Sequence, residues 1–444
     1  MTKKQMKLGA FFMLPGHHLA AWRYPSAQPA EALTFDFIKE QVQLAEQAKL
    51  DMVFFADVFG QDIKENVAAV VKYDPIVLIS ALQAVTKKIG FVSTLTTTYN
   101  EPFHVARKFA SIDHISGGRA AWNIVTSANP KESTLFGKDT HLEHARRYER
   151  AEEFVDVVKK LWFSVEEKAL VIDKESGKFL DKTRTHRVEH EGEWFKVNGH
   201  LDQPSTPQGH PVLVQAGSSE AGKEFAAKSA EVIFTAWQTL EAGQEFYNDV
   251  KGRLSKYGRS ADDLKIMPGV FITVAKTEEE AKEKQAYLSS FILPQVGLEY
   301  LSTVTGQDFS GKNIDDPFPR EVYNDDSSDP NIRFNIIRDL AERENLQSIR
   351  EVYQRVAGAR GHREIVGTPE QIADQLEEWF VGGAADGFNI MPPHFPEGFK
   401  DILELVIPEL QRRGLFRTEY EGSTLRDHLG LNVPTVEDVL NLVK

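Results

Sequence analysis

The chain contains no cysteine. Disulfide scaffolds, thiolate nucleophiles, zinc ribbons and cysteine-ligated iron–sulfur clusters are excluded together, so any difficult chemistry needs another agent. No apolar run approaches the ~20 residues of a membrane span. The opening Lys3, Lys4 and Lys7 followed by Leu8–Leu14 imitate a secretion signal, but the stretch is short and runs into Pro15-Gly16-His17-His18. It reads as a first strand, and the protein is expected in the cytoplasm. Bases are in deficit: 52 Lys and Arg against 66 Asp and Glu give −14 with His neutral. Nucleic-acid binding therefore lacks the basic field that phosphate contact demands. No Gly-x-Gly-x-x-Gly follows a strand, and no Walker A or Gly-x-Ser-x-Gly motif occurs, so no nicotinamide, ATP or serine-hydrolase site is evident.

What is present is an ordinary globular composition, 41% hydrophobic and 27% charged over 444 residues. That length exceeds the ~250–300 residues of one simple core, and calls for two domains or one large barrel with insertions. Apolar runs recur, each followed by a helical pattern, and this alternation signifies a parallel sheet with helical crossovers. Strands are expected at Lys7–Met13, Met52–Ala56, Ile89–Thr94, Arg119–Thr126, Pro211–Ala216, Val232–Thr235, Lys265–Val274 and Gly387–Ile390. Helices are expected at Phe35–Ala48, Pro75–Thr86, Pro102–Ile115, His141–Phe163, Glu220–Ser229, Leu240–Tyr257, Pro369–Phe380 and Gly398–Arg413. These numbers suit an α/β fold, a (β/α)₈ TIM barrel, better than an open doubly wound sheet. Two stretches break the rhythm, about 164–210 and 277–367, the second holding the polar segment Asp315–Asn331. Both read as insertions into a single barrel domain spanning 1–444. The tail 420–444 reads as an extension packed on the barrel or on a second subunit.

Reacting groups of such a barrel gather where strands end. That rule selects His17 and His18 after the first strand, Asp57 after the second, Thr94 to Tyr99 after the third, Asn123 to Ser127 at the fourth and Gly217-Ser218-Ser219 after the fifth. The last group is a strand, a small-residue turn and a helix start, which offers backbone N–H groups and two hydroxyls to a phosphate; an ordinary helix capped by Ser219 is the alternative. Asp57 sits at the end of an apolar strand and needs hydrogen-bond partners, from a ligand or from a loop base. His141, His144 and Tyr148 share roughly one helix face. The two histidines lack the companions that would complete a metal site, so no metal is expected. A histidine at the mouth is a reasonable general acid/base or donor, which makes His17 and His18 the catalytic candidates. In the first insertion Arg184, His186, Arg187 and His190 form a basic patch, suited to a carboxylate substrate or simply solvated. Arg184 and Arg187 are the substrate-binding candidates.

Several ordered motifs carry a resemblance: Ala21-Trp22-Arg23, Phe55-Ala56-Asp57, Ser111-Ile112-Asp113-His114-Ile115-Ser116-Gly117-Gly118-Arg119, Trp122-Asn123-Ile124-Val125-Thr126-Ser127, Glu143-His144-x-x-Arg147-Tyr148 and Gln215-Ala216-Gly217-Ser218-Ser219. With Ala385-Asp386-Gly387-Phe388 and the run Val406 to Leu415 they span nearly the whole chain. The chain resembles the bacterial-luciferase-like flavin monooxygenases, in the branch of nitrilotriacetate monooxygenase, pristinamycin synthase and dibenzothiophene-sulfone monooxygenase. The resemblance implies a barrel that binds reduced FMN supplied by a separate NAD(P)H:flavin reductase, consumes O₂ and forms homodimers or homotetramers. It implies FMN contacts at Asp57, Thr94, Asn123 and Ser127 near the ring, and at His144, Tyr148, Ser218 and Ser219 around the ribityl phosphate. The implied activity is oxygenation of a small organic substrate. The basic patch tilts its chemistry towards a carboxylate-bearing amine or thioether, cleaved oxidatively at C–N or C–S. A deazaflavin-dependent hydride-transfer enzyme and a noncatalytic flavin-binding protein are the rival readings.

Overall fold

The computed structural model describes residues 4–60, 72–320 and 330–440. Part of the polar segment, 321–329, and the end of the tail, 441–444, lie outside the described residues. Parallel strands β1 (Lys7–Phe11), β2 (Met52–Phe55), β3 (Gly90–Thr96) and β4 (Ala120–Val125) run side by side. Two antiparallel hairpins follow, β5 (Leu170–Asp173) with β6 (Lys178–Leu180) and β7 (Val188–Glu191) with β8 (Lys196–Gly199). The parallel set resumes with β9 (Val212–Gln215), β10 (Val232–Thr235), β11 (Lys265–Val274), β12 (Arg363–Gly367) and β13 (Gly387–Met391). β13 pairs with both β1 and β11, and β10 with both β9 and β11, so the sheet closes into a parallel 8-strand barrel. The barrel strands are buried almost throughout, as crossover-covered parallel strands must be.

Helix starts follow from local chemistry. Asp74 accepts from the Val77 N–H at 3.0 Å ahead of a first-turn proline, and Thr368 makes a reciprocal capping box with Gln371. The helix expected over Gly398–Arg413 is instead Glu397–Asp401, a wider π turn over Ile402–Val406, and Ile407–Arg412. Pro408 is the reason, because it lacks the N–H that would continue the regular ladder to Glu404. The helix expected from His141 begins at His144.

β12 is a strand the sequence reading did not contain. β11 spans ten residues; β10 covers Lys265–Pro268 of one edge and β12 covers Val270–Val274 of the same edge. The overhanging half of β11 would otherwise leave unpaired backbone groups, and β12 supplies their partners. The second insertion contributes the helix Glu278–Ser290, which packs on β11 and β12, and the helices Pro294–Thr305, Pro330–Arg343 and Ile349–Val356, whose apolar faces gather around Leu301, Phe309, Tyr353 and Val356. The C-terminal tail packs on the barrel: Leu425, Leu429 and Leu431 join the apolar cluster of the barrel interior, below the first residues of the strands. Among the described residues no helix is long and apolar enough to cross a membrane.

Candidate active site

At the opposite end, where the strands finish, lies a cavity of about 610 Å³ lined by Asp57, Thr94, Thr96, Ser127, Gln215, Gly217, Ser218, Ser219, His144 and Tyr148, among others. That volume suits a small organic cofactor. Thr94 donates its hydroxyl to the Phe55 carbonyl at 2.8 Å and accepts from Asn123 Nδ2 at 2.8 Å. Asn123 is buried, and its Oδ1 has no protein partner. The Gln215 Oε1 is in the same condition. Buried amide oxygens of this kind are costly to leave unmatched, and at Gln215, which lines the cavity, a ligand or water can supply the donor. Asn123, expected beside the flavin ring, is not among the lining residues.

Ser127 follows β4 in the left-handed region, with φ 56°, and donates to Thr96 Oγ1 at 2.7 Å. His141 holds it there. The Ser127 carbonyl can only accept, so His141 Nε2 carries the proton at 2.9 Å and Nδ1 accepts from the Tyr99 hydroxyl at 2.7 Å. Both ring nitrogens are thereby engaged, which removes His141 as a metal ligand. His144 lies exposed on the first turn of the next helix and leans on Tyr148, ring centres 5.0 Å apart.

The turn after β9 forms the other end of the cavity. Ser219 caps the helix Glu220–Ser229 by accepting from the Gly222 N–H at 3.1 Å, while Ser218 is exposed to the cavity. A Cβ at Gly217 would run into the Gln215 amide and come within 3.2 Å of the Tyr148 hydroxyl. Glycine there keeps open a concave turn of backbone N–H groups, two serines and a phenol, the chemistry of an anion cradle.

Charge at the wall is mixed. Asp57 pairs with Lys72 at 3.0 Å, and burial still pushes its carboxyl above the usual range. Glu132, buried on the same wall and raised for the same reason with a Ser127 hydrogen bond opposing, was not selected from the sequence; nor was Arg147, which donates to the Leu142 carbonyl at 2.6 Å. Glu132 opens a short helix, Glu132–Leu135, beyond the strand end and carries no strand-end signal. Arg147 falls between His144 and Tyr148 and reaches the wall because the helix turns it there.

Two expectations are corrected by placement. His17 and His18 are buried and line neither this cavity nor the smaller apolar cavity beside it. His17 Nε2 donates to the Phe11 carbonyl at 2.9 Å, and His18 Nδ1 accepts from the Ala20 N–H at 3.1 Å. Burial drives both pKa values down to about 3, with Arg360 contributing to each, so both rings are neutral and neither is an imidazolium acid. Arg184 and Arg187 are not brought to the cavity either. Arg184 pairs with Glu166 at 3.0 Å and Arg187 donates to Asn198 Oδ1 at 2.7 Å, both on exposed surface. Glu166 follows the far end of the helix His144–Trp162, whose first turn lines the cavity. Nineteen residues carry the chain roughly 27 Å away, to the other end of the barrel.

A closed barrel with a cofactor-sized cavity at its strand ends, and an anion cradle at one side of it, defines a cofactor-dependent enzyme of the TIM-barrel class. Residues 12–386 match the luciferase-like monooxygenase family, and the chain belongs to that family of flavin-dependent monooxygenases. It is 52% identical to nitrilotriacetate monooxygenase component A of Aminobacter aminovorans, covering 98% of each chain. It is 49% identical to the N-acetyl-S-(2-succino)cysteine monooxygenase of Bacillus subtilis (strain 168), over 97% of this chain and 98% of the relative. The crystal structure of riboflavin lyase with modified FMN and riboflavin superposes with a TM-score of 0.83 at 30% identity, over 98% of both chains.

Proposed function

We propose that this protein is the oxygenase of a two-component system: it takes reduced FMN from a separate flavin reductase and, with O₂, oxygenates a small carboxylate-bearing amine or thioether, with oxidative C–N or C–S cleavage. The observation that carries the reading is one cavity with an anion cradle at one end and the unmatched buried amide oxygen of Gln215 on its wall. FMN has a phosphate for the first and a ring N–H with ribityl hydroxyls for the second. When bound and reduced, the flavin supplies what amino acids lack, activation of O₂ and delivery of one oxygen atom. Ser218, Ser219 and Tyr148 would hold the phosphate, Gln215 would accept a donor from the rest of the cofactor, and Thr94 fixes the Asn123 amide. Ser127, locked by His141, shapes the wall beside them. Phe55 and Phe59 face the cavities at the same end and keep water away from the reacting centre. The carboxylated amine and carboxylated thioether in the names of the two relatives support the substrate class. A homodimer or homotetramer is the expected assembly.

Titrating the chain with FMN and with riboflavin tests the phosphate end, and FMN should bind much more tightly. Purified protein with NADH, FMN and O₂ should oxidise NADH negligibly until a flavin reductase is added. Equal affinity for the two flavins, or robust NADH turnover by the chain alone, overturns the reading.

A further inference from the structure

The hairpin β5–β6 of the first insertion turns apolar side chains to solvent. Leu170, Val171, Ile172 and Phe179 are 39%, 42%, 54% and 64% exposed. Single exposed apolar residues are ordinary, but a contiguous group of large ones marks an interaction surface. Among the described residues the two strands pair only with each other, so each keeps an open edge. A two-stranded ribbon of this length is marginal without something packed against it.

Alternation gives the hairpin two apolar faces. Leu170 and Leu180 are cross-strand partners and, with Val165 and Leu201, line a groove of about 440 Å³. Phe179 precedes Leu180 in its strand and takes the opposite, outer face. Between the Leu170–Leu180 pair and the Asp173–Lys178 pair, β5 has Val171 and Ile172 where β6 has Phe179 alone, which makes a bulge. Ile172 stands in the left-handed region with φ 49°, where a β-branched side chain is strained. Such strain persists where surroundings hold it, and its own chain leaves Ile172 half exposed.

Charge decides what covers this face. The chain carries −14, so two copies repel over most of their surface. Residues 167–182 differ: four acids are interspersed with four bases, and the segment is neutral. A neutral, mixed-sign rim around an apolar centre is self-complementary, because about a twofold axis the bases of one copy meet the acids of the other. A strongly charged partner gains nothing from it.

We propose that the outer face of this hairpin, centred on Val171, Ile172 and Phe179, joins two copies of this chain about a twofold axis. The inference rests on the homodimer or homotetramer proposed above and assigns it a face. A standard interface takes roughly 20–30 residues a side, which the hairpin supplies together with the rest of the insertion. The insertion belongs to the far end of the barrel, so pairing there leaves the cofactor-sized cavity of each copy open to flavin and substrate.

Sedimentation velocity of the full-length chain over a range of micromolar concentrations tests it. Phe179→Glu should weaken association at least ~100-fold, because each dimer loses the aromatic twice and gains two facing carboxylates. Ile172→Gly should weaken it about 10-fold while the melting temperature holds or rises, since glycine enters this conformation freely. That variant keeps the test decisive if Phe179→Glu does not fold. FMN affinity should be unchanged in both, and a tetramer that falls to a dimer is the same result as a dimer that falls to a monomer. The absence of cysteine allows a second reading: under mild oxidation Phe179→Cys should link two copies much faster than Val381→Cys, whose position is 72% exposed on the helix Pro369–Val381. A monomeric wild-type chain sinks both the inference and the proposed assembly. An assembly indifferent to folded Phe179→Glu or to Ile172→Gly, or equal rates of linking for the two cysteine variants, sinks the inference alone. So does loss of reductase-coupled turnover at unchanged oligomeric state, because the hairpin would then bind the reductase.

Discussion

The two ends of the barrel differ in what fills them. At the end where strands begin, buried ions pair with one another under the C-terminal tail. Arg426, almost fully buried, donates to both carboxylate oxygens of Glu231 and to the carbonyls of Gln208, His210 and Asn432. Asp51 accepts from Arg417 and from the Leu8 N–H at 2.7 Å, and Asp386 takes Lys4 and Lys251 at 3.1 and 2.8 Å. At the end where strands finish, the Gln215 amide oxygen is unmatched beside an open cavity and Ser127 holds a strained backbone. Unmatched buried atoms occur at both ends, Arg417 Nη1 and both His428 ring nitrogens among them at the first, so the difference lies in the space: the tail fills one end, and the other is open to what it binds.

The largest test of that contrast is Arg426→Ala. It strands Glu231, whose pKa the guanidinium lowers to about 2. Breaking a buried pair by removing one partner costs roughly 3–5 kcal/mol, so denaturant titration should show a loss of that order while FMN affinity of the folded fraction is unchanged. A loss below about 1 kcal/mol would dissolve the distinction. Glu231 also sets an acid response. Its folded pKa lies below the ordinary 4.5, so its stabilisation is present above that value and is lost as pH falls towards about 2.

Next in size is the mouth itself. The Ser218→Ala/Ser219→Ala double variant should lower FMN affinity about 10–100-fold, measured by fluorescence quenching, while removal of the Ser219 cap costs only about 1 kcal/mol of stability. A stability loss larger than the binding loss would reverse the comparison.

The buried imidazoles sharpen it further. Between pH 6.5 and about 3 the unfolded chain binds protons at His17 and His18 that the folded chain refuses, so stability falls as pH falls through that window. His17→Gln should flatten the slope of stability against pH there, read from melts at several pH values, by about one proton at most. An unchanged slope would show that His17 is protonated in the folded protein. The smallest expected effect is at Arg184 and Arg187, where alanine should change stability by less than about 1 kcal/mol and FMN and substrate binding not at all. A tenfold loss of substrate affinity would return the carboxylate to the insertion.

Much of this was legible in the sequence, and the reasons are local. Strands of a parallel barrel announce themselves as continuous apolar runs between capped helices, and the expected strands correspond to the barrel strands apart from their ends. Asp57, Thr94, Ser127, Ser218 and Ser219 line one cavity because each is close to a strand end and parallel neighbours bring such ends together. β12 was not legible, since Arg363-Glu-Ile-Val-Gly is short, half charged and defined by the overhang of a strand nearly a hundred residues away in sequence. Arg360, which lines the neighbouring apolar cavity, was equally silent, one of many bases in a long helical insertion.

The sequence by itself therefore determined the alternation, the barrel and the residues near its strand ends, because period, capping and strand polarity are properties of neighbouring residues. Only the tertiary structure decided that the basic patch of the first insertion belongs to the far end of the barrel, that His17 and His18 are buried and neutral, that the tail closes the strand-start end and that Arg360 reaches the mouth. Those outcomes depend on where a helix of known length delivers the chain and on which long-range surfaces it then covers. Burial, and with it charge state, is set by those distant partners and is written in no local pattern.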